Sequence, residues 1–216
     1  WKATMSRGSR NPKLDAIGNA WRVVHSEGDG LSGLVVDRYD DLVVVGFFSA
    51  GMYRHREWIF NALREHFPGC RFHSFADEHV QKQESFDYKD TLGTEPAIIS
   101  EHGIRFRADP AGAHKTGFFA DQRENREWLS RMCAGQRVLD LCCNTGGFAL
   151  NAAAGGAKSV LAADLDETMV AATNDNAARN QLRVEAVHAD AFDLLREVRA
   201  GSQELVVLDP PKWVAA

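Results

Sequence analysis

The sequence lacks any run of apolar residues near the roughly 18 that a membrane-spanning helix needs, and its first residues lack the charged and apolar regions of a secretory signal. Cysteine is also scarce: the chain has four, with no Cys-x-x-Cys pair and no Cys/His cluster at zinc spacing. The adjacent Cys142 and Cys143 are poor partners for a disulfide framework. These absences argue against a secreted, membrane-spanning or zinc-binding protein and predict a cytoplasmic chain without a bound metal.

The chain also has no excess of basic residues. It contains 25 lysines and arginines and 30 acidic residues, so its formal net charge is −5. This balance excludes a protein that coats nucleic acid by charge alone, but it is compatible with an enzyme that has a local basic groove. Basic residues do gather before residue 25, from Lys2 to Arg22. That cluster is either part of such a groove or a solvated lead-in.

Hydrophobic patterns differ between two parts of the chain. Up to about residue 108, short β-branched runs alternate with turns, helical spacing covers residues 53–66, and residues 77–95 are polar and irregular. From residue 121 onward, helices and strands alternate as in βαβ units, and the strands are short apolar runs of the kind that parallel sheets bury on both faces. These strands are predicted at residues 137–141, 159–163, 184–188 and 204–208. The helices are predicted at residues 121–133, 147–154, 167–180 and 191–199.

The same patterns divide the chain into three segments. Residues 1–20 are predicted to be a lead-in or linker from a further N-terminal region, residues 21–108 a small α+β domain, and residues 109–216 a parallel α/β domain. The chain begins at Trp1, and four parallel strands precede its end at Ala216. We therefore expect an internal segment of a longer polypeptide, with a sheet that is incomplete at its C-terminal side.

A loop of small residues follows the first predicted parallel strand and leads directly into a helix. Its glycines allow a ligand close to the backbone, and the helix start at Gly147 offers free N–H groups to a carboxylate. The loop does not match the Gly-x-Gly-x-x-Gly pattern of dinucleotide sites, so it is either a different nucleotide-type site or an ordinary tight turn. As a site it would use Asp140, Cys142, Asn144, Thr145, Gly146 and Gly147. Gly146→Val would then block the ligand and leave the fold intact.

Acidic residues follow the next two strands. Asp164, about 20 residues beyond the loop, is predicted to accept hydrogen bonds from both hydroxyls of a ribose, whereas Asp166 is predicted to cap the following helix. Asp190 could accept a hydrogen bond from an adenine amino group, with Phe192 packed nearby, or it could instead cap its own helix. These positions favour a cofactor that contains adenosine.

Asp209 follows the fourth parallel strand and precedes Pro210, Pro211, Lys212 and Trp213. Paired prolines hold an extended loop and cannot donate backbone hydrogen bonds, so they fix Asp209 at the C-terminal edge of the sheet, where α/β proteins bind ligands. Together with the three preceding features, this arrangement predicts an α/β fold with the Rossmann-like sheet of a class I methyltransferase that binds S-adenosyl-L-methionine.

Four stretches of the chain resemble one family, the bacterial large-subunit ribosomal RNA cytosine-C5 methyltransferases. The resemblance extends from about residue 20 to the end, through residues 27–39, 115–126, 144–148 and 209–212. Members of that family have an N-terminal PUA domain that binds RNA, a central α+β domain and a C-terminal Rossmann-like catalytic domain. The resemblance therefore implies an rRNA substrate, a role in rRNA processing and a cytosine C5 target, and it leaves homodimer formation open.

The resemblance also implies that several residues lie beside the methionine end of the cofactor. They are Phe119, Asp121, Gln122 and Arg123. The guanidinium fork of Arg123 suits a carboxylate, whereas Asp121 could simply cap the helix. Lys115 and Arg126 could face RNA phosphate or solvent.

Cytosine C5 is not nucleophilic, and enzymes of this kind attack C6 with a cysteine thiolate before C5 takes the methyl group and loses its proton. The nucleophilic cysteine of the family is expected beyond Ala216, outside this chain. Within the chain, Asp209 is predicted to orient the base, Pro210 and Lys212 to shape its pocket, and Trp213 to stack on it. The alternatives are methylation of a base amine, a protein or a small molecule, and a non-catalytic RNA-binding or assembly factor that keeps the fold. Amine-methylating enzymes often have an aromatic residue where this chain has Lys212.

Overall fold

A computed structural model of the chain describes residues 17–89, 95–110 and 117–210. These residues form two compact units. The first contains the described residues up to Gly103 and those of Arg107–Asp121, and the second contains Ile104–Phe106 and the described residues from Gln122 onward. Among the described residues, no helix combines the length and the apolar character needed to cross a bilayer.

The first unit contains a four-stranded sheet with two helices inserted before its last strand. Its elements are β1 (Ala20–His25), β2 (Leu34–Tyr39), β3 (Leu42–Phe47), α1 (Ala50–Arg54), α2 (Arg56–His66) and β4 (Arg71–Phe75). The spatial order is β1-β2-β3-β4, with the first three strands antiparallel. β4 runs parallel to β3, because the two helices return the chain to the edge of the sheet at which β3 begins.

The core of the first unit lies between the sheet and α2. Ile59 and Leu63 on one face of α2 belong to the same buried cluster as Val36, Val45 and Phe47 of the sheet. This packing agrees with the helical spacing predicted over residues 53–66. The observed helical segment is longer at its start and breaks in two, since α1 begins after Ser49, whose side chain accepts a hydrogen bond from the Met52 N–H.

One helix of the first unit was not predicted. Residues 77–95 were expected to be irregular, yet they contain α3 (Glu78–Glu84). No residue of α3 is buried, so hydrophobic periodicity could not reveal it. Contacts outside the helix fix it instead: the Gln81 side chain donates to the Ala76 carbonyl at 2.8 Å and accepts from the Tyr88 N–H at 2.9 Å.

A β-hairpin follows, formed by β5 (Ala97–Glu101) and β6 (Ile104–Ala108). His102 and Gly103 connect the two strands, and both have positive φ, at 48° and 81°. Two successive residues of this kind form the tight turn whose twist suits a hairpin.

The second unit alternates helices and strands. Its elements are α4 (Arg123–Ser130), β7 (Arg137–Leu141), α5 (Gly147–Ala154), β8 (Ser159–Asp164), α6 (Glu167–Asn180), β9 (Glu185–His188), α7 (Ala191–Glu197) and β10 (Leu205–Leu208). The strands are all parallel and lie in the order β10-β7-β8-β9. The chain moves outward from β7 through β8 to β9 and then returns to the other side of β7. The predicted Rossmann-like α/β fold is confirmed, and the strand order reverses between β7 and β10, where such sheets bind ligands.

Two predicted helices of the second unit are shorter than expected. The helix predicted over residues 121–133 begins as a 3-10 turn, Ala120–Gln122, and α4 ends at Ser130. Its N-cap is Gln122, which makes no side-chain cap hydrogen bond, so the suggestion that Asp121 caps this helix was wrong. The helix predicted over residues 191–199 ends at Glu197, because Val198 already has an extended backbone.

Candidate functional site

The loop between β7 and α5 has a constrained backbone. Cys142, Asn144 and Gly146 have φ values of 61°, 50° and 81°, so three of its residues are in the left-handed region. Residues with a Cβ adopt this conformation only when the surrounding structure holds them there, and such strain clusters at functional sites. The geometry supports a binding loop over an ordinary turn.

Helix α6 holds the main chain of this loop. The Thr173 hydroxyl donates to the Asn144 carbonyl at 2.9 Å, and the Asn176 amide donates to the Thr145 carbonyl at 3.0 Å. Thr173 and Asn176 are completely buried. Sequence reasoning missed both residues, although two polar residues three positions apart among the apolar residues of a predicted helix were a usable signal.

The start of α5 is open to a ligand. Gly147 and Phe148, its first two residues, donate their N–H groups to no residue in the described ranges. Free N–H groups at a helix start attract a carboxylate. A Cβ added at Gly147 would lie 3.1 Å from the Cδ of Arg126, a tight contact that a small shift of the Arg126 side chain would have to relieve. Arg126 itself is only 3% exposed, which overturns its expected position facing RNA or solvent.

Asp140 lies at the end of β7, beside the point where the strand order reverses. Its side chain is almost fully buried; Oδ2 accepts the Ala149 N–H at 2.9 Å, and Oδ1 has no hydrogen-bond partner among the described residues. Burial, together with the charges of Asp209 and Asp164, raises the pKa of Asp140 to about 7, against the lowering effect of the Ala149 hydrogen bond. A buried carboxyl oxygen without a partner is costly and marks a place where a cationic or hydrogen-donating ligand fits.

Asp140 gives a testable pH dependence. The pKa of Asp140 is raised on folding, so between about pH 4 and pH 7 the folded protein keeps a proton that the unfolded chain has lost. The free energy of unfolding therefore falls as the pH rises through this interval. Asp140→Asn removes this titration. We expect the free energy of unfolding of the variant, relative to wild type, to rise by about 2–4 kcal/mol between pH 5 and pH 8 in urea titrations. An equal difference at both pH values would show that Asp140 does not titrate in this range.

Asp164, the last residue of β8, connects that strand to the loop. Its Oδ2 accepts the Asn144 N–H at 2.8 Å and its Oδ1 accepts the Asp166 N–H at 3.0 Å. Each carboxylate oxygen can accept more than one hydrogen bond, so these contacts leave capacity for ligand hydroxyls. The structure therefore gives Asp164 a structural role that the sequence did not predict, and the ribose role remains a prediction.

The two candidate capping residues both cap their helices. Asp166 accepts the Thr168 N–H at 2.8 Å, as predicted. Asp190 accepts the Phe192 and Asp193 N–H groups through Oδ1, at 2.8 and 3.1 Å. The second oxygen of Asp190 has no hydrogen-bond partner within the described part of the chain. It is free to accept from an adenine amino group, so capping and the predicted contact are compatible.

Four strand-end carboxylates converge near the Cys142 thiol. Burial is the main cause of its raised pKa, and Asp164, Asp140, Asp190 and Asp209 each raise it through their charge. Parallel pairing explains the convergence: the C-terminal ends of the four strands lie at one edge of the sheet. A concentration of negative charge of this kind favours a cationic ligand.

For the remaining predicted site residues, the structure gives the position in the fold and the burial but no contact that defines a role. Gln122 and Arg123 lie at the start of α4, and Arg123 is buried. Phe119 belongs to the first unit, so its predicted contact with the cofactor remains a prediction. Asp209 and Pro210 follow β10 and are exposed. Of the residues predicted to bind the cofactor or the RNA, Lys115, Pro211, Lys212 and Trp213 fall outside the described residues, as does the basic cluster before residue 17.

His188 is a further residue near the site to which the sequence assigned no role. Its Nε2 lies 2.9 Å from the Leu165 carbonyl oxygen, and its Nδ1 lies 3.3 Å from a carboxylate oxygen of Glu167. Leu165 directly follows Asp164, so the imidazole ties the end of β9 to the turn that carries this acid. A histidine at a strand end gave no pattern from which this contact could be predicted.

The fold and the site define a Rossmann-like α/β protein with a binding site for an adenosine-containing, positively charged ligand. The chain belongs to the S-adenosylmethionine-dependent methyltransferase family, whose sequence pattern matches residues 76–215. The site fits this cofactor, because the unpaired oxygen of Asp140 and the open start of α5 complement its ammonium and carboxylate groups.

Curated relatives and solved structures agree with this assignment. The ribosomal RNA large subunit methyltransferase I of Aeromonas salmonicida is 38% identical over 218 residues, 95% of this chain and 54% of the relative. The protein of the same name from Aeromonas hydrophila is 39% identical over 206 residues, 89% of this chain and 51% of the relative. The chain thus spans about half the length of the curated relatives it matches.

Among solved structures, a Streptococcus mutans protein described as SAM-dependent methyltransferase superposes with a TM-score of 0.81 at 26% identity, covering 97% of this chain and 57% of its own. A methyltransferase-like protein complexed with SAH gives a TM-score of 0.82 at 25% identity, covering 99% of this chain and 58% of that one. SAH is the demethylated product of the cofactor, so a similar fold holds this ligand.

Proposed function

We propose that the protein transfers a methyl group from S-adenosyl-L-methionine to large-subunit ribosomal RNA, at C5 of a cytosine. The observation that carries the proposal is a parallel sheet whose strands end in acidic residues at one edge, beside a constrained loop, in a chain 38% identical to a named ribosomal RNA large subunit methyltransferase. The resemblance of residues 27–39 and 115–126 to the cytosine-C5 family supports the choice of base atom. An rRNA substrate also implies a cytoplasmic location, and the resemblance leaves association of two copies open.

In this proposal the cofactor supplies the methyl group, and the residues of the second unit bind and orient it. Asp164 accepts hydrogen bonds from the ribose hydroxyls, and Asp190 accepts from the adenine amino group through its unpaired oxygen. The N–H groups of Gly147 and Phe148 and the guanidinium of Arg123 attract the carboxylate. The unpaired Oδ1 of Asp140 accepts a hydrogen bond from the ammonium group, whose positive charge in turn favours the ionised form of this carboxyl.

Target-base roles are assigned to the segment after β10. Asp209, exposed at the strand end, is proposed to orient the cytosine by accepting a hydrogen bond from its amino group. Pro210 and Lys212 are proposed to shape the pocket of the base. Asp209 lies close enough to Asp140 for its charge to raise the pKa of that carboxyl, which is consistent with one site for cofactor and base.

No cysteine of this chain is suited to attack cytosine C6. Burial raises the pKa of Cys70, Cys133 and Cys142, and it raises the pKa of Cys143 to about 12. A nucleophilic cysteine needs the opposite environment, one that favours the thiolate. This observation supports the expectation that the full-length protein supplies the nucleophile from outside residues 1–216.

The test uses the full-length protein, labelled cofactor and protein-free large-subunit rRNA transcribed with cytidine that carries tritium at C5. Transfer to C5 displaces that tritium, so we expect one tritium released for each methyl group incorporated. Methyl incorporation without release would favour a base amine as the acceptor. Cofactor binding without any transfer would favour a non-catalytic RNA-binding factor. Asp209→Ala removes the proposed acceptor for the cytosine amino group and is expected to lower transfer by a larger factor than it lowers cofactor affinity.

A further inference from the structure

An open depression in the first unit contains hydrogen-bond donors without partners. It has a volume of about 370 Å³, and its walls include Gly18, Asn19, Trp21, Arg38 and Ser100. All of these residues belong to the first unit, separate from the strand-end carboxylates of the second. The proposed cofactor site uses none of them.

Arg38 is held in a fixed orientation in this depression. Its guanidinium carbon lies 4.9 Å from the centroid of the Trp21 ring and 5.3 Å from that of the Phe67 ring. Its Nε donates to the Asp40 main-chain carbonyl at 2.8 Å. The two terminal nitrogens, Nη1 and Nη2, have no hydrogen-bond partner in the described part of the chain. A guanidinium fixed by stacking, with its two-nitrogen edge unused, is preorganised for a bidentate contact.

Two neighbouring carboxylates, those of Asp37 and Asp41, pair with other arginines rather than with Arg38. Asp37 accepts from Arg22 at 2.8 Å, and Asp41 accepts from Arg71 at 2.8 Å. Asp40 contacts Arg38 through its main-chain carbonyl. The charge of Arg38 is therefore available to a ligand.

The other polar groups of the depression also favour an acceptor as the ligand. Asn19 uses its side-chain oxygen to accept the Ser100 N–H at 2.7 Å, so its remaining side-chain capacity is the NH₂ donor. Donors without matching acceptors fit an anion.

We propose that this depression binds a backbone phosphate of the RNA substrate, with Arg38 donating from Nη1 and Nη2 to two phosphate oxygens and Asn19 donating from its amide. This inference rests on the proposed function. Arg38 lies in residues 27–39, one of the stretches that resemble the rRNA-modifying family, and the proposed cofactor site uses no residue of this stretch. Phosphate contacts position a nucleic acid without reading its sequence, so the depression orients the RNA and leaves base choice to the other unit.

The experiment measures binding of protein-free large-subunit rRNA to the full-length protein and to Arg38→Gln, Arg38→Lys and Arg64→Gln over a series of salt concentrations. Arg64 is the matched control, because its guanidinium also stacks on two aromatic rings, Phe60 and Phe72, at 5.6 and 5.8 Å from their centroids. Thermal unfolding and cofactor affinity are measured for each variant to verify that it is folded.

Arg38→Gln is expected to weaken RNA binding about tenfold and to lower the salt slope by about one, the change for one lost phosphate contact. Arg38→Lys should keep the salt slope and lose part of the affinity, because lysine keeps the charge without the fork. Arg64→Gln should match wild type. Equal RNA affinity in Arg38→Gln and Arg64→Gln would overturn the inference. If wild type still methylates the rRNA in that case, the proposed function survives; if wild type neither binds nor methylates it, both fail.

Discussion

Gly146→Val is expected to destabilise the fold by about 3–5 kcal/mol, rather than to block the cofactor in an intact protein. Gly146 has a φ of 81°, which a β-branched residue adopts only with strain. A Cβ at this position would lie 2.7 Å from Leu150 Cδ1 and 2.8 Å from Thr173 Cγ2. The expectation from sequence that this change spares the fold is therefore corrected, because the space beside Gly146 is filled by the protein itself.

Urea unfolding of Gly146→Val and Gly146→Ala measures this effect, with Gly135→Ala as the control. Gly135 has a similar φ of 74°, but a Cβ added there meets no atom within 4 Å. Gly135→Ala should therefore show the backbone cost alone, about 1 kcal/mol. Equal losses at the two positions would show that the clash is relieved at no cost. A stable Gly146→Val that fails to bind the cofactor would restore the original expectation.

The contrast between α6 and α3 shows what the sequence could predict. The bounds of α6 were predicted correctly, because Asp166 is a recognisable cap and an apolar pattern continues to residue 180. α3 has no buried residue, and its stability depends on the contacts of Gln81 with Ala76 and Tyr88, which no local pattern contains. Elements defined by burial and capping are therefore predictable, whereas an exposed helix held by individual side-chain to main-chain hydrogen bonds is not.

The site shows the same division between local and distant causes. Acids at strand ends can be identified because parallel strands place their C-terminal ends together. The order of the strands in the sheet cannot be predicted in this way, because β10 pairs with β7 although two other strands lie between them in the chain. Support from Thr173 and Asn176, and the burial of Arg126, depend on how α6, α4 and the loop pack in three dimensions. Candidate ligand groups could thus be predicted, but not the residues that hold them.

Asp164→Ala is expected to raise the dissociation constant of S-adenosylhomocysteine about 10- to 100-fold, corresponding to about 1–3 kcal/mol of lost charged hydrogen bonding. Two effects act in the same direction. The variant loses an acceptor for the ribose hydroxyls, and it leaves the Asn144 N–H, which Asp164 accepts at 2.8 Å, without its partner. Isothermal titration calorimetry measures the affinity. Asp166→Ala is the matched control, because it removes a helix cap two residues away and should lower stability without changing affinity.

A second ligand separates the direct effect from the indirect one. Loss of a hydroxyl contact affects only a ligand that has the hydroxyl, whereas a disturbed loop affects every ligand. We therefore expect Asp164→Ala to weaken S-adenosylhomocysteine much more than its 2′-deoxy analogue, and the coupling between the variant and the missing hydroxyl measures the ribose contact itself. Equal weakening of both ligands would assign Asp164 to the support of Asn144 alone. Unchanged affinity for both would remove Asp164 from the site, and with it the strand-end geometry on which the assignment of the pocket depends.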